Sequence, residues 1–274
     1  MNRRPAWTPF VPFAILVLVA VAGPLVIPFD PERVAGAASQ RPGGEFLFGT
    51  DATGLDVFSR TVAATQINLL MALLVTVFAT VAGLLLGLII GMNEARRGPV
   101  GWAGRGLIRV VDLSDAIPAL IVGIVVVGLF GASLISLSVA LAFIMLPNQI
   151  RITRVEVLKV RHDSYLDAAR MAGLGEGRIM ARHVLPNSCR PALENASLVF
   201  GVSIIVSASL GFLGVGLAPP TPEWGAMISS GVSDVMLGRW WTSVFPALAL
   251  CLAVAGAAGV AGAITRMSRG AALR

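Results

Sequence analysis

Charged residues are scarce in this sequence. Only 13% of its 274 residues are Asp, Glu, Lys or Arg, against roughly 25% in soluble globular domains. Hydrophobic residues make up 56% of the chain, and the mean hydropathy is +0.82. This composition excludes an ordinary soluble domain and predicts an integral membrane protein.

Lysine, cysteine and histidine are almost absent. The only lysine, Lys159, has no glycine before it and no Ser or Thr after it, so the chain lacks the Gly-Lys-Ser/Thr core of a phosphate-binding P-loop. Cys189 and Cys251 are too few for a disulfide framework. His162 and His183 have no second ligand at metal-binding spacing. We expect no catalytic residue, metal or cofactor in this chain.

Long uncharged runs are abundant instead. Each exceeds the ~20 residues that a helix needs to cross a hydrocarbon core of ~30 Å. These runs predict a multi-pass helical bundle, and they cover residues 5–29, 61–93, 116–150, 195–222 and 240–265.

The run over residues 116–150 fits either one long helix or a tight hairpin broken at residues 130–133. With the hairpin, six spans leave both termini in the cytoplasm and 17 of the 21 Lys and Arg residues inside. With one helix, five spans leave 7 inside and 14 outside. Cytoplasmic loops are enriched in Lys and Arg, so the hairpin is preferred. The arginines are spread over loops, which does not predict a nucleic-acid partner.

The predicted fold is therefore an all-α membrane protein, a single transmembrane domain over residues 1–274 with six transmembrane helices. A cytoplasmic loop, residues 151–190, separates spans four and five, and two shorter loops, 30–60 and 219–242, lie outside. The predicted spans are residues 10–29, 66–92, 110–130, 133–150, 195–217 and 243–264.

Small residues and acids mark two helix faces. Gly83, Gly87 and Gly91 recur every four residues, the spacing that lets helices approach closely in lipid. The same face could also slide against a partner helix, and the sequence does not separate the two. Asp112 and Asp115 share a face. A pathway role stays open, and so does a capping or ion-pair role in which Asp112 pairs with Arg109 one turn away.

The cytoplasmic loop predicts two short helices joined by a glycine elbow. Ser164 is the expected N-cap of the first, over residues 165–172. Gly173 supplies the freedom to turn, and a second helix over residues 176–184 ends before Pro186. Such a knob suits docking into a groove of a soluble partner; an amphipathic hairpin on the membrane surface is the alternative.

This loop resembles the EAA motif of the membrane subunits of ATP-binding-cassette importers. Asp167 stands where the motif has Glu, and His183 where it has Ile. The resemblance implies a coupling helix that docks on an ATPase subunit, with the coupling residues Asp167, Ala168, Ala169, Gly173, His183, Leu185 and Pro186.

Two outer segments are similar to the C-type permease subunit of dipeptide, oligopeptide and nickel importers. GTDATGLDVFSR, residues 49–60, resembles GTDxxGRDxxSR with Leu55 in place of Arg, and PPTPEWGAMI, residues 219–228, resembles PPxPxWGxM. An aromatic belt at the bilayer interface is the alternative role of Trp224, Trp240 and Trp241. The resemblance implies contact with a binding protein through Gly49, Thr50, Asp51, Gly54, Asp56, Arg60, Pro220, Trp224 and Gly225.

The family implies the permease subunit of an importer for short peptides in the bacterial cytoplasmic membrane. Its expected partners are a second homologous permease, two ATPase subunits that hold ATP and Mg²⁺, an extracytoplasmic binding protein and the lipid bilayer. The same machinery could import nickel or another small solute. A channel or ion-coupled carrier and a membrane scaffold without transport remain as alternatives from other classes.

Overall fold

The computed structural model describes residues 10–94, 96–161 and 163–272, with side chains described up to residue 268. Within these ranges the chain is helical, and extended pairing is limited to two isolated bridges, Gly43 with Phe46 and Thr50 with Asp56. His162 lies outside the described residues. A π-helical turn, Met180–Val184, interrupts the helices, which are α1 (Val11–Val26), α2 (Val57–Asn93), α3 (Pro99–Ser114), α4 (Ala119–Phe130), α5 (Leu134–Val160), α6 (Ser164–Met171), α7 (Glu176–Ile179), α8 (Leu185–Ser188), α9 (Arg190–Phe212), α10 (Trp224–Met236) and α11 (Trp241–Ala272).

Apolar helices of membrane-spanning length dominate the described chain. Helices α2, α5, α9 and α11 are each long and apolar enough to cross a bilayer, and α3 with α4 forms a bent pair that makes a fifth candidate. Helix α1 has 16 residues and is shorter than this length. The prediction of an all-α chain with several membrane-length helices is confirmed.

The prediction of one helix over residues 110–130 is wrong in one respect. Helix α3 ends at Ser114, α4 begins at Ala119, and the two are bent by 96°. Pro118 explains the break, since proline lacks an N–H and disfavours helical backbone in the residue before it. The next break lies between Phe130 and Leu134, where the hairpin interpretation divides residues 116–150.

The chain forms two compact units. Unit 1 takes the described residues up to 75, then 123–141, and everything from 197 onward. Its buried apolar core draws on α1, α2, α9, α10 and α11, and small residues from three of these helices surround one large aromatic ring. The core residues are Ala20, Ala64, Leu69, Ala72, Ile204, Trp224, Met227 and Ala253.

Unit 2 takes residues 76–122 and 142–196. One of its clusters joins α2 and α5 to the segment 163–188, which we call the knob: Leu88, Met92 and Val157 pack with Leu166, Ile179 and Val184. A second cluster joins α2, α3 and α5 through Ile90, Ile108 and Ile150.

Candidate functional site

The knob begins one residue earlier than the sequence predicts. Asp163, with extended backbone, caps α6, and Ser164 is already its first helical residue. Neither the Asp163 side chain nor a Ser164–Asp167 capping box holds the helix start; the Asp167 carboxylate instead accepts a bond of 2.7 Å from Arg170. The predicted N-cap at Ser164 is therefore wrong, because Ser164 is already helical and Asp163, with its extended backbone, holds the N-cap position.

Gly173 makes the turn between the two short helices. Its φ is +80°, a left-handed conformation that favours glycine. The Gly173 N–H bonds to the Arg170 carbonyl and the Leu174 N–H to the Ala169 carbonyl, which closes the helix end. Apart from its two chain neighbours, no heavy atom of the described residues lies within 4 Å of where a Cβ would sit on Gly173, so backbone conformation and not space selects glycine.

The second helical stretch runs past Pro186. Helix α7 passes into the π-helical turn, where the Leu185 N–H bonds to the Met180 carbonyl five residues back, and α8 continues to Ser188. The prediction that Pro186 ends the helix is wrong. Pro186 lies in the first turn of α8, where its missing N–H leaves no bond unmade, and the wider π turn accommodates its ring.

A charged network holds the two halves of the knob together. Arg170 Nε donates to Glu176 Oε1 at 2.9 Å and Arg170 Nη1 to Asp167 Oδ1 at 2.7 Å. The bond to Glu176, more than the bond to Asp167, raises the pKa of Arg170. Arg96 forms a further ion pair with Glu176 at 3.1 Å. Sequence reasoning missed this network, although the charges on both sides of the glycine elbow signal it.

Apolar contacts fix the knob to α2 and α5. Leu166, Ile179 and Val184 are fully buried, and they pack in the cluster that also contains Met92 and Val157. One side of the knob is therefore built into unit 2.

The other side of the knob is exposed and carries most of the predicted coupling residues. Asp167, Ala168, Gly173 and Pro186 are exposed, whereas Ala169, His183 and Leu185 are half-buried. Met171 is 85% exposed, although no motif points to it. The exposed side mixes small, apolar and acidic groups, and the exposed residues that form it are Tyr165, Asp167, Ala168, Met171, Ala172 and Gly173.

His183 contributes to the shape of the knob. Its ring lies edge-on to Tyr165 with centroids 6.2 Å apart. Asn187 Nδ2 donates to the Tyr165 hydroxyl at 3.0 Å and to the His183 carbonyl at 2.8 Å. These three residues tie the end of the knob back to its start, and the sequence analysis did not assign Tyr165 or Asn187.

Two arginines on α5 and the residue after it secure the base of the knob. Arg154 makes a two-bond contact with Glu94, at 2.6 and 3.2 Å. Arg161 donates to the Gly91 carbonyl at 3.0 Å. Both contacts join the end of α2 to α5, so the helices that carry the knob are fastened by charge as well as by apolar packing.

The predicted glycine stripe on α2 faces α5. Cβ atoms on Gly87 and Gly91 would lie 2.6 Å from Thr153 Cβ and 2.7 Å from Val157 Cγ1, and a Cβ on Gly83 would collide with Gln149. At three successive turns, this seam has no room for a side chain larger than the hydrogen atom of glycine. The geometry is that of close helix packing in lipid.

Gln149 adds a buried polar contact at the same seam. Its Nε2 donates to Thr80 Oγ1 at 2.9 Å, and its Oε1 accepts from Asn195 Nδ2 at 3.2 Å. Gln149 is fully buried, so these bonds link α2, α5 and α9 within unit 2.

Asp112 and Asp115 share one partner that local spacing could not reveal. Arg151 on α5 contacts both carboxylates, with 3.1 Å to Asp112. The ion pair expected with Arg109 is not the one that forms. Asp115, Pro118 and Pro147 help to line a cavity of about 220 Å³ at the bend between α3 and α4.

The outer segments form a second site, within unit 1. Trp241 Nε1 donates to the Thr50 carbonyl at 3.1 Å, and Thr50 Oγ1 donates to the Ala37 carbonyl at 2.7 Å. Arg60 Nη1 donates to the carbonyls of Pro31 and Pro220 at 2.9 and 3.1 Å. These bonds fasten residues 30–60 to residues 219–242.

Most of the residues predicted to contact a binding protein are buried. Gly49, Thr50, Gly54, Asp56, Trp224 and Gly225 are buried, Asp51 and Arg60 are half-buried, and Pro220 is exposed.

Trp224 shows why the surface prediction is wrong for the buried residues of this set, while it stays a prediction for Asp51, Arg60 and Pro220. Its indole Nε1 donates to the Thr61 carbonyl at 3.2 Å, and its ring lies in the core of unit 1. Neither an aromatic belt nor a partner contact is available to it. The buried glycines and Thr50 shape the outer loop from inside. Asp51 and Pro220 remain accessible on its surface.

Glu223 is a further residue that the sequence analysis missed. Its carboxylate accepts from the Gly225 and Ala226 N–H groups at 2.8 and 3.0 Å, and so caps α10. It is 1% exposed, and a Cβ on Gly211 would collide with it. Burial raises its pKa, against the opposing effect of the two N–H bonds. A Glu before an apolar helix is the available sequence signal.

The sequence of this chain is similar to a described protein family and to named transport proteins. Residues 83–267 match the family described as "Binding-protein-dependent transport system inner membrane component". The chain is 36% identical to the di/tripeptide transport system permease protein of Pseudomonas aeruginosa, over 88% of this chain and 79% of that protein. It is 38% identical to the dipeptide transport system permease protein of Escherichia coli, over 88% and 80%.

A solved structure has a similar fold. It is the MetNI methionine ABC transporter in inward-facing conformations, with a TM-score of 0.54 and 20% identity. The match covers 74% of this chain and 95% of that chain.

Proposed function

The chain belongs to the binding-protein-dependent transport system inner membrane components, and from this membership we propose that it is the permease subunit of an ATP-driven importer of short peptides. The names of the relatives at 36% and 38% identity support peptides as the substrate class. The observation that carries the proposal is the knob, which is built into unit 2 on one side and exposed on the other.

The exposed side of the knob docks on an ATPase subunit. ATP and Mg²⁺ bind to two such subunits, and a second permease subunit completes the pathway as a heterodimer. An extracytoplasmic binding protein delivers the peptide to the outer segments. ATP binds the closed ATPase pair more tightly, and only such a difference in affinity can shift the permease between its states.

The proposed topology has six spans with both termini in the cytoplasm of a bacterial cell. The crossings are α1, α2, α4, α5, α9 and α11, and α3 precedes α4 on the cytoplasmic side. This arrangement puts the knob inside and residues 30–60 and 219–242 outside, as the distribution of Lys and Arg favours.

Gly173→Pro tests the coupling role. Proline fixes φ near −65°, whereas Gly173 has +80°, so the variant changes the exposed side of the knob. In proteoliposomes containing the assembled complex, we expect ATP-driven uptake of a radiolabelled dipeptide to fall at least tenfold. Asp167→Lys, which replaces the partner of Arg170 by a like charge, should have the same effect.

Gly175→Pro is the matched control, because Gly175 has a φ of −66°. It should retain uptake, and all variants should reach the membrane in equal amounts. Full ATP-driven uptake by Gly173→Pro would contradict the coupling assignment. Uptake of nickel but not of dipeptides by the wild-type complex would leave the permease role intact and overturn the substrate class.

A further inference from the structure

Helix α3 has an apolar side that no described part of the chain covers. Trp102 is 75% exposed, and the other members of this side are between 45% and 69% exposed. They recur at helical spacing over four turns. The side consists of Val100, Trp102, Leu107, Val110 and Leu113.

The opposite side of α3 is packed. Gly101, Gly104 and Ile108 are its buried residues. Ile108 lies in the cluster with Ile90 of α2 and Ile150 of α5, and a Cβ on Gly104 would lie 3.0 Å from the Glu94 backbone. The orientation of α3 about its axis is thereby fixed, and the exposed apolar side is a built feature of unit 2.

Arginines from α5 pair with the acidic groups around α3. Glu94 pairs with Arg154 at 2.6 Å. Asp112 and Asp115 both pair with Arg151. These two carboxylates share one arginine, so together they keep one net negative charge, fewer than the three positive charges of Arg97, Arg105 and Arg109.

The arginines on and before α3 are left with net positive charge. Arg97, Arg105 and Arg109 are exposed, and no carboxylate in the described chain lies within 4.0 Å of them. Arg105 donates to the Glu94 carbonyl at 2.7 Å and stands 5.9 Å from the Trp102 ring centroid. A basic border thus runs beside the exposed apolar side.

The charge and the bend of α3 favour an interfacial position. Three of its 16 residues, Arg105, Arg109 and Asp112, carry charge, and charged side chains are costly within the hydrocarbon core. Helix α4 is wholly apolar and is bent by 96° from α3. With α4 along the bilayer normal, α3 lies nearly in the membrane plane.

We propose that α3 is an interfacial helix that binds anionic lipid of the cytoplasmic leaflet. Its exposed apolar side enters the acyl boundary, and Arg97, Arg105 and Arg109 bind the headgroups, as amphipathic helices with a basic border do. The inference rests on the cytoplasmic orientation in the proposed topology and not on peptide transport.

Photolabelling of the assembled complex tests this directly. The complex is placed in nanodiscs of phosphatidylcholine with a small fraction of a diazirine-bearing phosphatidylglycerol, irradiated, digested and mapped by mass spectrometry. We expect adducts on residues 97–113. Unlabelled phosphatidylglycerol should reduce them severalfold, whereas unlabelled phosphatidylcholine and inorganic phosphate should not.

Charge removal separates a lipid site from general exposure to the bilayer. Arg97→Gln combined with Arg109→Gln, at two exposed positions whose side chains form no ion pair with the described residues, should lower the α3 adducts severalfold and leave those on α2 unchanged. The matched control, Arg33→Gln with Arg41→Gln on the outer loop, should leave both sets unchanged. Equal labelling by a diazirine-bearing phosphatidylcholine, or adducts on α2 with none on α3, would overturn the proposal; the second result would mean that another subunit covers α3.

Discussion

The contact between Glu94 and Arg154 joins the end of α2 to α5 beneath the knob. Its two hydrogen bonds measure 2.6 and 3.2 Å, and both side chains are mostly buried, with 11% and 28% exposure. Charged hydrogen bonds of this kind contribute about 2 kcal/mol. Glu94→Arg should therefore lower the free energy of unfolding by about that amount and reduce uptake, as measured by thermal unfolding in detergent and by transport.

The charge swap gives this prediction its control. Glu94→Arg with Arg154→Glu should recover most of the lost stability and uptake. Lys159→Glu breaks an exposed pair with Glu156 on the same helix and should change stability by less than about 1 kcal/mol. A double variant no better than the single variants would show that the pair has no specific role.

Glu223 predicts a dependence of stability on pH. Burial raises the pKa of its carboxyl in the folded protein, so the folded state binds the proton more tightly than the unfolded state does. The free energy of unfolding must then decrease as the pH rises from the ordinary glutamate pKa of about 4.3 through the raised value.

Glu223→Gln removes this titration. The difference in thermal midpoint, variant minus wild type, should increase with pH over that range. Loss of the carboxylate cap on α10 adds an offset that does not vary in the same way. A difference that stays constant with pH contradicts the assigned effect of burial.

At the scale of elements, the seam between α2 and α5 depends on the absence of side chains. A Cβ on Gly87 would lie 2.6 Å from Thr153 Cβ and 2.8 Å from the Ile150 carbonyl oxygen. Overpacking of this kind costs about 1–3 kcal/mol. Gly87→Ala should therefore destabilise the chain, as measured by thermal unfolding in detergent.

Gly201→Ala on α9 is the matched control. Its added Cβ would meet only Ala257 Cβ, at an ordinary 3.5 Å, and alanine is the better helix former by about 1 kcal/mol. It should be neutral or stabilising. Equal effects of the two substitutions would show that the α2–α5 seam has room to adjust.

Periodic and conformational signals in the sequence identify several of these elements. The four-residue recurrence of glycine predicts a close helix contact because spacing alone decides which residues share a face. Gly173 is predictable as a turn because few other residues adopt its positive φ at low cost. Uncharged runs locate the long helices because the length of a run can be read directly from the sequence.

Contacts between distant segments explain what the sequence could not supply. Arg151 reaches Asp112 and Asp115 from 39 and 36 residues away, so local spacing favours the wrong arginine. Trp224 is buried through a bond to Thr61, 163 residues distant. Motif similarity marks such residues without telling whether they build a loop or face a partner.

Across the whole molecule, the two units carry different segments. Unit 2 carries the knob on α2 and α5, fastened by apolar clusters, ion pairs and the glycine seam. Unit 1 carries the outer segments, residues 30–60 and 219–242, which hydrogen bonds join to each other. In the proposed function, an ATPase is the partner of unit 2 and a binding protein the partner of unit 1, and both assignments depend on the knob being cytoplasmic.

Cysteine crosslinking at Met171 tests this central claim most directly. Met171 is 85% exposed on the knob, and Met171→Cys can be introduced after Cys189 and Cys251 are changed to Ser. In the assembled complex, we predict a crosslink to an ATPase subunit whose yield changes when ATP is added, and none from Ala52→Cys on the outer loop. Labelling of Met171→Cys from outside intact cells by a membrane-impermeant thiol reagent, without any crosslink to an ATPase, would contradict the account.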